Sequence, residues 1–155
     1  MSVTQSVPTA PGAAPISAAG VAARLRLVVT RLARQLRQQA EKGITPSQLA
    51  ALSSVDRLGP LTLGELSGVE RVQPPTMTRI VAGLEELELV TREVDTRDRR
   101  VVRVRLTPQG QRFVQRSRTR KNAYLAARLR ALGAEELAVL ERAAAILEGV
   151  MEADE

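Results

Sequence analysis

The chain has no cysteine and no histidine. Without cysteine there is no disulfide, no thiolate metal site and no cysteine-based redox sensor. Without histidine, Ser-His-Asp and Cys-His constellations are excluded, and nearly all zinc sites go with them. Aromatic residues are almost as scarce. One Tyr, one Phe and no Trp provide no platform on which bases of single-stranded nucleic acid or RNA could stack. No glycine-rich phosphate loop of the Walker or dinucleotide type is present. No uninterrupted apolar run approaches membrane-spanning length. These absences argue against an enzyme, a metal site or a bound cofactor, and for a soluble, cytoplasmic protein that does not engage a membrane.

What the chain does have is positive charge and helical periodicity. Its 155 residues suit one domain with its own core, and 23 Lys+Arg against 17 Asp+Glu leave a net charge of +6. Such a balance favours a polyanionic partner. Residues 1–16 are rich in Ala, Pro, Ser and Thr, lack periodicity and lack the features of a signal peptide, so they read as a disordered tail. Ser17 can cap a first helix reaching about Gln39, with Val21, Leu25, Val28, Val29, Leu32 and Leu36 as its apolar stripe. The plain expectation is a core-packing helix with a solvated basic face; the sharper one is that part of the stripe meets a second subunit.

Thr45-Pro46-Ser47-Gln48 has the form of a capping box with proline at the first helical position, opening a short helix to about Ser54. Gly59 and Pro60 break the chain. Thr62-Leu63-Gly64-Glu65 is a second capping box, starting a very short helix that Gly68 is expected to end. Two short helices joined through such a turn make a helix-turn-helix, whose next helix aims at a major groove.

That next helix follows Gln73, with Pro74 and Pro75 in its first turn. Met77, Ile80, Val81, Leu84 and Leu87 recur at helical spacing, leaving Thr76, Thr78, Arg79 and Ala82 on the other face. Thr and Gln side chains at such a terminus can bond phosphates or base edges, helped by exposed N–H groups and the helix dipole. Beyond it, Val90 and Val94 alternate with Arg92, and Val102, Val104 and Leu106 alternate with Arg103 and Arg105. This reads as a two-stranded hairpin with one apolar face. Its loop, Asp95-Thr96-Arg97-Asp98-Arg99-Arg100, carries three guanidiniums at the tip. A groove-sized helix followed by a basic hairpin is the pattern of a winged helix-turn-helix.

Thr107-Pro108 opens a long helix from about Gln109 to Leu132, ended by Gly133. A last helix from about Ala134 to Met151 carries apolar rows on two adjacent sides, more than one small domain needs to bury. A partner chain is the natural cover.

The succession of helix, short helices, TLGEL, PPTMTRIVAGLEELELV, a DTRDRR loop, VVRVRLTPQG and two closing helices resembles the MarR family of bacterial transcriptional regulators. The resemblance spans about Ala18 to Val150. Its most specific part is the loop, where Asp95, Asp98, Arg100, Leu106 and Thr107 stand in the family's Asp-x-x-Asp-x-Arg and Leu-Thr places. It implies a mainly α fold with a small β-hairpin wing. Residues 17–155 would form one MarR-type domain: a winged helix-turn-helix over about 45–107, and dimerisation helices over about 17–39 and 109–152. It also implies a homodimer on a pseudo-palindromic operator in double-stranded DNA. Gln73, Pro75, Thr76, Thr78 and Arg79 would then front the recognition helix. Arg100, with Arg97 or Arg99, would reach the minor groove, and Asp98 would tether the wing by pairing with a neighbouring arginine.

Family members commonly repress their own and neighbouring genes, often for efflux or detoxification, and release DNA when a small, often anionic aromatic ligand binds between body and lobe. The resemblance thus implies a small anionic or lipophilic ligand here. The rival readings are a nonspecific architectural DNA-binding protein and a winged-helix module that holds a protein partner.

Overall fold

A computed structural model of the protein describes residues 16–40 and 42–152. The expected tail, residues 1–16, lies outside the described residues except for Ile16. Among the described residues the order is α1 (Ala18–Gln38), α2 (Pro46–Leu58), β1 (Leu61–Thr62), α3 (Leu63–Glu70), α4 (Pro74–Glu86), β2 (Val90–Val94), β3 (Val102–Leu106), α5 (Pro108–Leu129) and α6 (Ala134–Glu152). The fold is mainly helical with one small antiparallel sheet. The chain divides into two compact units, residues 1–35 and 36–155; most of α1 belongs to the first.

Threonines set three of the helix starts. Thr45, Thr62 and Thr107 accept the backbone N–H of Gln48, Glu65 and Gly110 at 3.2, 3.1 and 3.0 Å. Gln48 and Glu65 reach back to the N–H of Thr45 and Thr62 at 2.8 and 2.7 Å, so both expected capping boxes are complete. The helix ends differ from expectation. α2 runs past Ser54 to Leu58, because Ala51, Leu52 and Val55 share one buried face that continues another turn. Gly59, at φ 84°, then stops it.

α3 is not ended by Gly68, which lies within it. It ends at Arg71, in the left-handed region at φ 52°, with N–H bonds from Arg71 to Gly68 and from Val72 to Ser67. α4 ends the same way at Glu88, φ 56°, with Glu88 bonded to Glu85 and Leu89 to Leu84. Leu84 and Leu89 are both buried, giving the apolar contact that accompanies this paired-bond helix stop. Tertiary burial of the flanking leucines holds a non-glycine residue where glycine would be the local choice.

The core gathers Ala51, Leu52 and Val55 from α2, Leu66 from α3, Met77, Val81 and Leu84 from α4, Val90 and Val104 from the sheet, and Phe113 and Val114 from α5. Of the expected α4 stripe, Met77, Val81 and Leu84 are buried, Ile80 is half-buried against the core, and Leu87 is 41% exposed.

The sheet has three strands, ordered β1-β3-β2, where a two-stranded hairpin was expected. β1 adds Leu61 opposite Val104 and Thr62 opposite Arg103. Two residues are too few for alternation to announce a strand. The register also corrects the reading of Arg92. Strand side chains repeat with period two, so Arg92 shares a face with Val90 and Val94 and lies opposite Val104. It is accommodated by an ion pair to Glu85 near the end of α4, 3.2 Å away. The outer strand positions are not buried: Val94 and Val102 are open to solvent.

The start of α5 is fastened to the turn between α4 and β2. Thr107 donates its hydroxyl to Glu88 O at 2.6 Å and its N–H to Leu89 O, and Gln109 Nε2 donates to Leu87 O. Gly110 is buried at this junction, where a Cβ would collide with the Leu89 carbonyl oxygen. α1 and α6 are built differently. Neither contains a buried residue within the single chain. No described helix is long and apolar enough to cross a membrane.

Gly110→Ala should destabilise the protein by about 1–3 kcal/mol, the range for forcing atoms into a packed interior. Gly68→Ala, at an exposed helical position where a Cβ meets nothing, should stabilise it by about 0.5–1 kcal/mol. Urea unfolding of the two variants side by side checks both signs.

Candidate nucleic-acid interface

α4 buries one face and leaves its front outside. Gln73, Pro75, Thr76, Thr78 and Arg79 are all exposed. Gln73 stands at the N-cap but makes no capping bond with its side chain, so its amide is available to a ligand. The backbone here is less available than expected. Pro74 and Pro75 have no N–H to offer, and the Thr76 and Met77 N–H groups both donate to Gln73 O, at 2.9 and 3.1 Å. What this terminus offers outward is therefore side chains, not a ring of free amides. Thr78 donates its hydroxyl to Pro74 O at 2.9 Å, leaving its oxygen as an acceptor. Arg79 has no ion-pair partner among the described residues.

The wing is organised around a carboxylate other than the expected one. Asp95 Oδ1 accepts the backbone N–H of Arg97 at 2.8 Å and of Asp98 at 3.3 Å. Its Oδ2 accepts Arg103 Nε at 2.7 Å. Arg103 Nη1 continues to Glu65 Oε2 at 3.1 Å and Pro60 O at 3.4 Å. Glu65 is the residue that closes the capping box of α3. One guanidinium therefore ties the base of the wing to the start of the helix-turn-helix. Among the described residues Asp98 forms no ion pair with an arginine side chain; its Oδ1 accepts the Arg100 backbone N–H at 2.9 Å. It tethers the loop through the main chain, because the tight turn at the tip brings that amide closer than any guanidinium.

Arg97, Arg99 and Arg100 are exposed, and none of them has an ion-pair partner among the described residues. The arginines on the strands behave differently. Arg103 is clamped, Arg92 pairs with Glu85, and Arg105 pairs with Glu93 at 2.9 Å. Within the hairpin, the arginines without an ion-pair partner among the described residues are those at the tip. Arg103 and Glu65 were not among the expected site residues. The signal for Arg103 lay in the hairpin itself, since pairing Val94 with Val102 brings Asp95 diagonally beside Arg103. Nothing local could have shown Glu65 joining them.

Electrostatics follow the clamp. The Arg103 guanidinium, with the Arg97 and Asp98 amides, holds Asp95 down at about 2. Asp95 in turn raises Arg103. Glu65 is lowered first by the Thr62 backbone N–H, then by the Thr62 hydroxyl and Arg103.

The model of the MarR family matches residues 44–102, the helix-turn-helix and most of the wing. Over 132 residues, 84% of this chain and 92% of the relative, the sequence is 37% identical to an HTH-type transcriptional regulator of Mycobacterium leprae. The chain belongs to the MarR family. A MarR family protein from Bacillus stearothermophilus has a similar structure, with TM-score 0.76 and 32% identity over 86% of this chain and 94% of that one. The HTH-type transcriptional repressor MdtR of Bacillus subtilis is 31% identical over 77% of both chains. This MarR-family chain is accordingly a DNA-binding transcriptional regulator and not an enzyme.

Because Asp95 is depressed from an ordinary 3.8 to about 2, its contribution to wing order is fully present above pH 4 and is lost as pH falls toward 2. The Arg97 and Asp98 amide resonances should hold steady from pH 7 to about 4 and shift together below it. In Arg103→Met the same transition should move to higher pH. NMR titration of both proteins measures it.

Proposed function

We propose that this MarR-family protein is a homodimeric repressor of its own or neighbouring genes, of the efflux or detoxification type. It binds a pseudo-palindromic operator and is released by a small ligand. The observation that carries the reading is the contrast within the wing: a base locked by Asp95, Arg103 and Glu65, and a tip whose Arg97, Arg99 and Arg100 are exposed without ion-pair partners among the described residues. Exposed local ion pairs are worth only about 0–1 kcal/mol, so a free triplet on a fixed support suits an external polyanion.

In this reading Gln73, Pro75, Thr76, Thr78 and Arg79 front a helix lying in the major groove. Arg79 forks onto a guanine, worth roughly 1–3 kcal/mol of discrimination. Thr78, its hydroxyl proton already given to Pro74, accepts from a base amine. Arg100, beside Arg97 and Arg99 and positioned by Asp98, enters the adjacent minor groove. A narrow groove concentrates negative potential there, and a weakly hydrated guanidinium is cheap to desolvate.

Two further observations support the assembly and the control. α1 exposes Val21, Leu25, Leu27, Val28 and Val29, and α6 exposes Leu137, Leu140, Ile146 and Val150. That much apolar helix surface suits a second copy. Between the α1–α2 connection, α2 and α5 lies a crevice of about 440 Å³, where Ile44 and Leu49 meet Arg37, Lys42 and Lys121. Its mixed lining fits a small ligand with an apolar body and a negative charge. Such a ligand releases DNA only by favouring the conformation that cannot bind it.

Arg100→Ala should weaken operator binding at least about tenfold and lower the slope of log affinity against log salt by about one. Fluorescence anisotropy at several salt concentrations reads both; unchanged values would remove the wing from recognition. Preference for the operator over random duplex should reach about a thousandfold, which an architectural coating protein would not show. Sedimentation at micromolar concentration should give a dimer, and a clean monomer would end the two-half-site reading.

A further inference from the structure

Among the described residues, two that are not glycine hold a positive φ, Arg71 at 52° and Glu88 at 56°. A Cβ is disfavoured in this region, and glycine is the usual occupant of a helix stop of this kind. At Glu88 the structure supplies a compensation: its carbonyl accepts the Thr107 hydroxyl at 2.6 Å, in the junction that fastens α5. At Arg71 the backbone is set just as firmly. Its N–H donates to Gly68 O at 3.2 Å, the Val72 N–H donates to Ser67 O at 3.1 Å, and Val72 packs against the core. The side chain, however, is exposed, and no hydrogen bond or ion pair holds it among the described residues. Glu70, the carboxylate next to it in the chain, instead accepts the Ser54 hydroxyl at 2.5 Å. A charged side chain thus stands on a rigid turn, in a conformation that favours glycine, with nothing inside the protein to hold it. Strain of this sort gathers at functional positions.

The turn joins α3 to α4, two residues ahead of Gln73. In a helix-turn-helix the first helix crosses the sugar-phosphate backbone while the second enters the groove, which leaves the turn between them at the groove's rim. Contacts to phosphates fix the register there, and amides at the front of the second helix commonly supply them. Here Pro74 and Pro75 have no N–H, and those of Thr76 and Met77 are already engaged by Gln73 O. We infer that Arg71 is a phosphate-contact residue of the DNA interface, gripping the backbone beside the groove that α4 enters. The assignment rests on the placing of α4 in the major groove proposed above. A guanidinium can fork onto two phosphate oxygens, and the locked turn presents it with little further ordering. A phosphate is the same at every base step, so Arg71 adds affinity without sequence preference, in contrast to Arg79.

Wild-type protein, Arg71→Gly, Arg71→Asn and Arg71→Lys are compared by fluorescence anisotropy at several salt concentrations. The probes are a random-sequence duplex and a duplex that the wild-type protein selects from a randomised library. Arg71→Gly and Arg71→Asn should weaken binding to both duplexes by the same factor, at least about tenfold at low salt. They should also lower the slope of log affinity against log salt by about one per bound chain. Arg71→Lys should keep the slope. Glycine and asparagine both suit a left-handed stop, so the melting midpoints of these two variants should equal or exceed that of the wild type. A loss of affinity that came with a lower midpoint would mark a structural role and overturn the assignment. Arg79→Ala, measured alongside, should instead reduce the preference for the selected duplex by about tenfold. If Arg79→Ala acts while Arg71→Gly and Arg71→Asn leave affinity and slope unchanged, or alter the preference between duplexes, the assignment of Arg71 falls alone. If Arg79→Ala leaves that preference unchanged, the placing of α4 fails and Arg71 loses its phosphate with it.

Discussion

Met77, Val81 and Leu84 are almost completely removed from solvent, and their burial dictates how α4 stands in the protein. They occupy one side of the helix at intervals of three and four residues, and α2, α3 and the sheet close over them. With that side committed, rotation of α4 about its axis is fixed. Thr76, Thr78 and Arg79 have no course but outward. Full burial of three such side chains is worth roughly 1.5–3 kcal/mol each, far more than any exposed contact on the other face. The core thus aims Thr76, Thr78 and Arg79 outward, and these exposed residues are free to be chosen for their chemistry.

The wing solves the opposite problem. A hairpin of two five-residue strands with exposed outer valines has little apolar surface to hold it. Its orientation comes from polar links: Asp95 with its two amides, Arg103 across to Glu65 and Pro60, and Arg92 to Glu85. Each of these is a partly exposed contact of modest strength, but together they attach both strands to the helix-turn-helix at separate points. The division of labour among the arginines follows. Those on the strands are consumed in support, and those at the tip have no ion-pair partner among the described residues. At α4 the two prolines impose a similar division, since they offer no N–H and leave side chains as the exposed polar groups of that terminus.

Much of this architecture was legible in the chain alone. The threonine caps, the proline starts and the apolar spacing of α4 are local signals, and they survive in the structure nearly unchanged because each is satisfied within one turn of helix. The helix stops were less legible. Gly68 looked like a terminator but sits inside α3, while Arg71 and Glu88 carry the left-handed turns. Those two turns are followed by Val72, packed against the core, and by buried Leu89, so the burial that accompanies them is set by the tertiary fold. β1 escaped notice because two residues hold no periodicity, and Arg92 was misplaced because its face is set by strand parity and not by its charge.

By itself the sequence determined what kinds of surface this protein could present: helices of known polarity, a basic loop, and no thiol, imidazole or stacked aromatic for other chemistry. Tertiary structure alone decided which charges remain available. Whether an arginine is spent or free depends on which carboxylate lies within reach. Glu65 and Arg103 are thirty-eight positions apart along the chain, so their meeting is a property of the packed core.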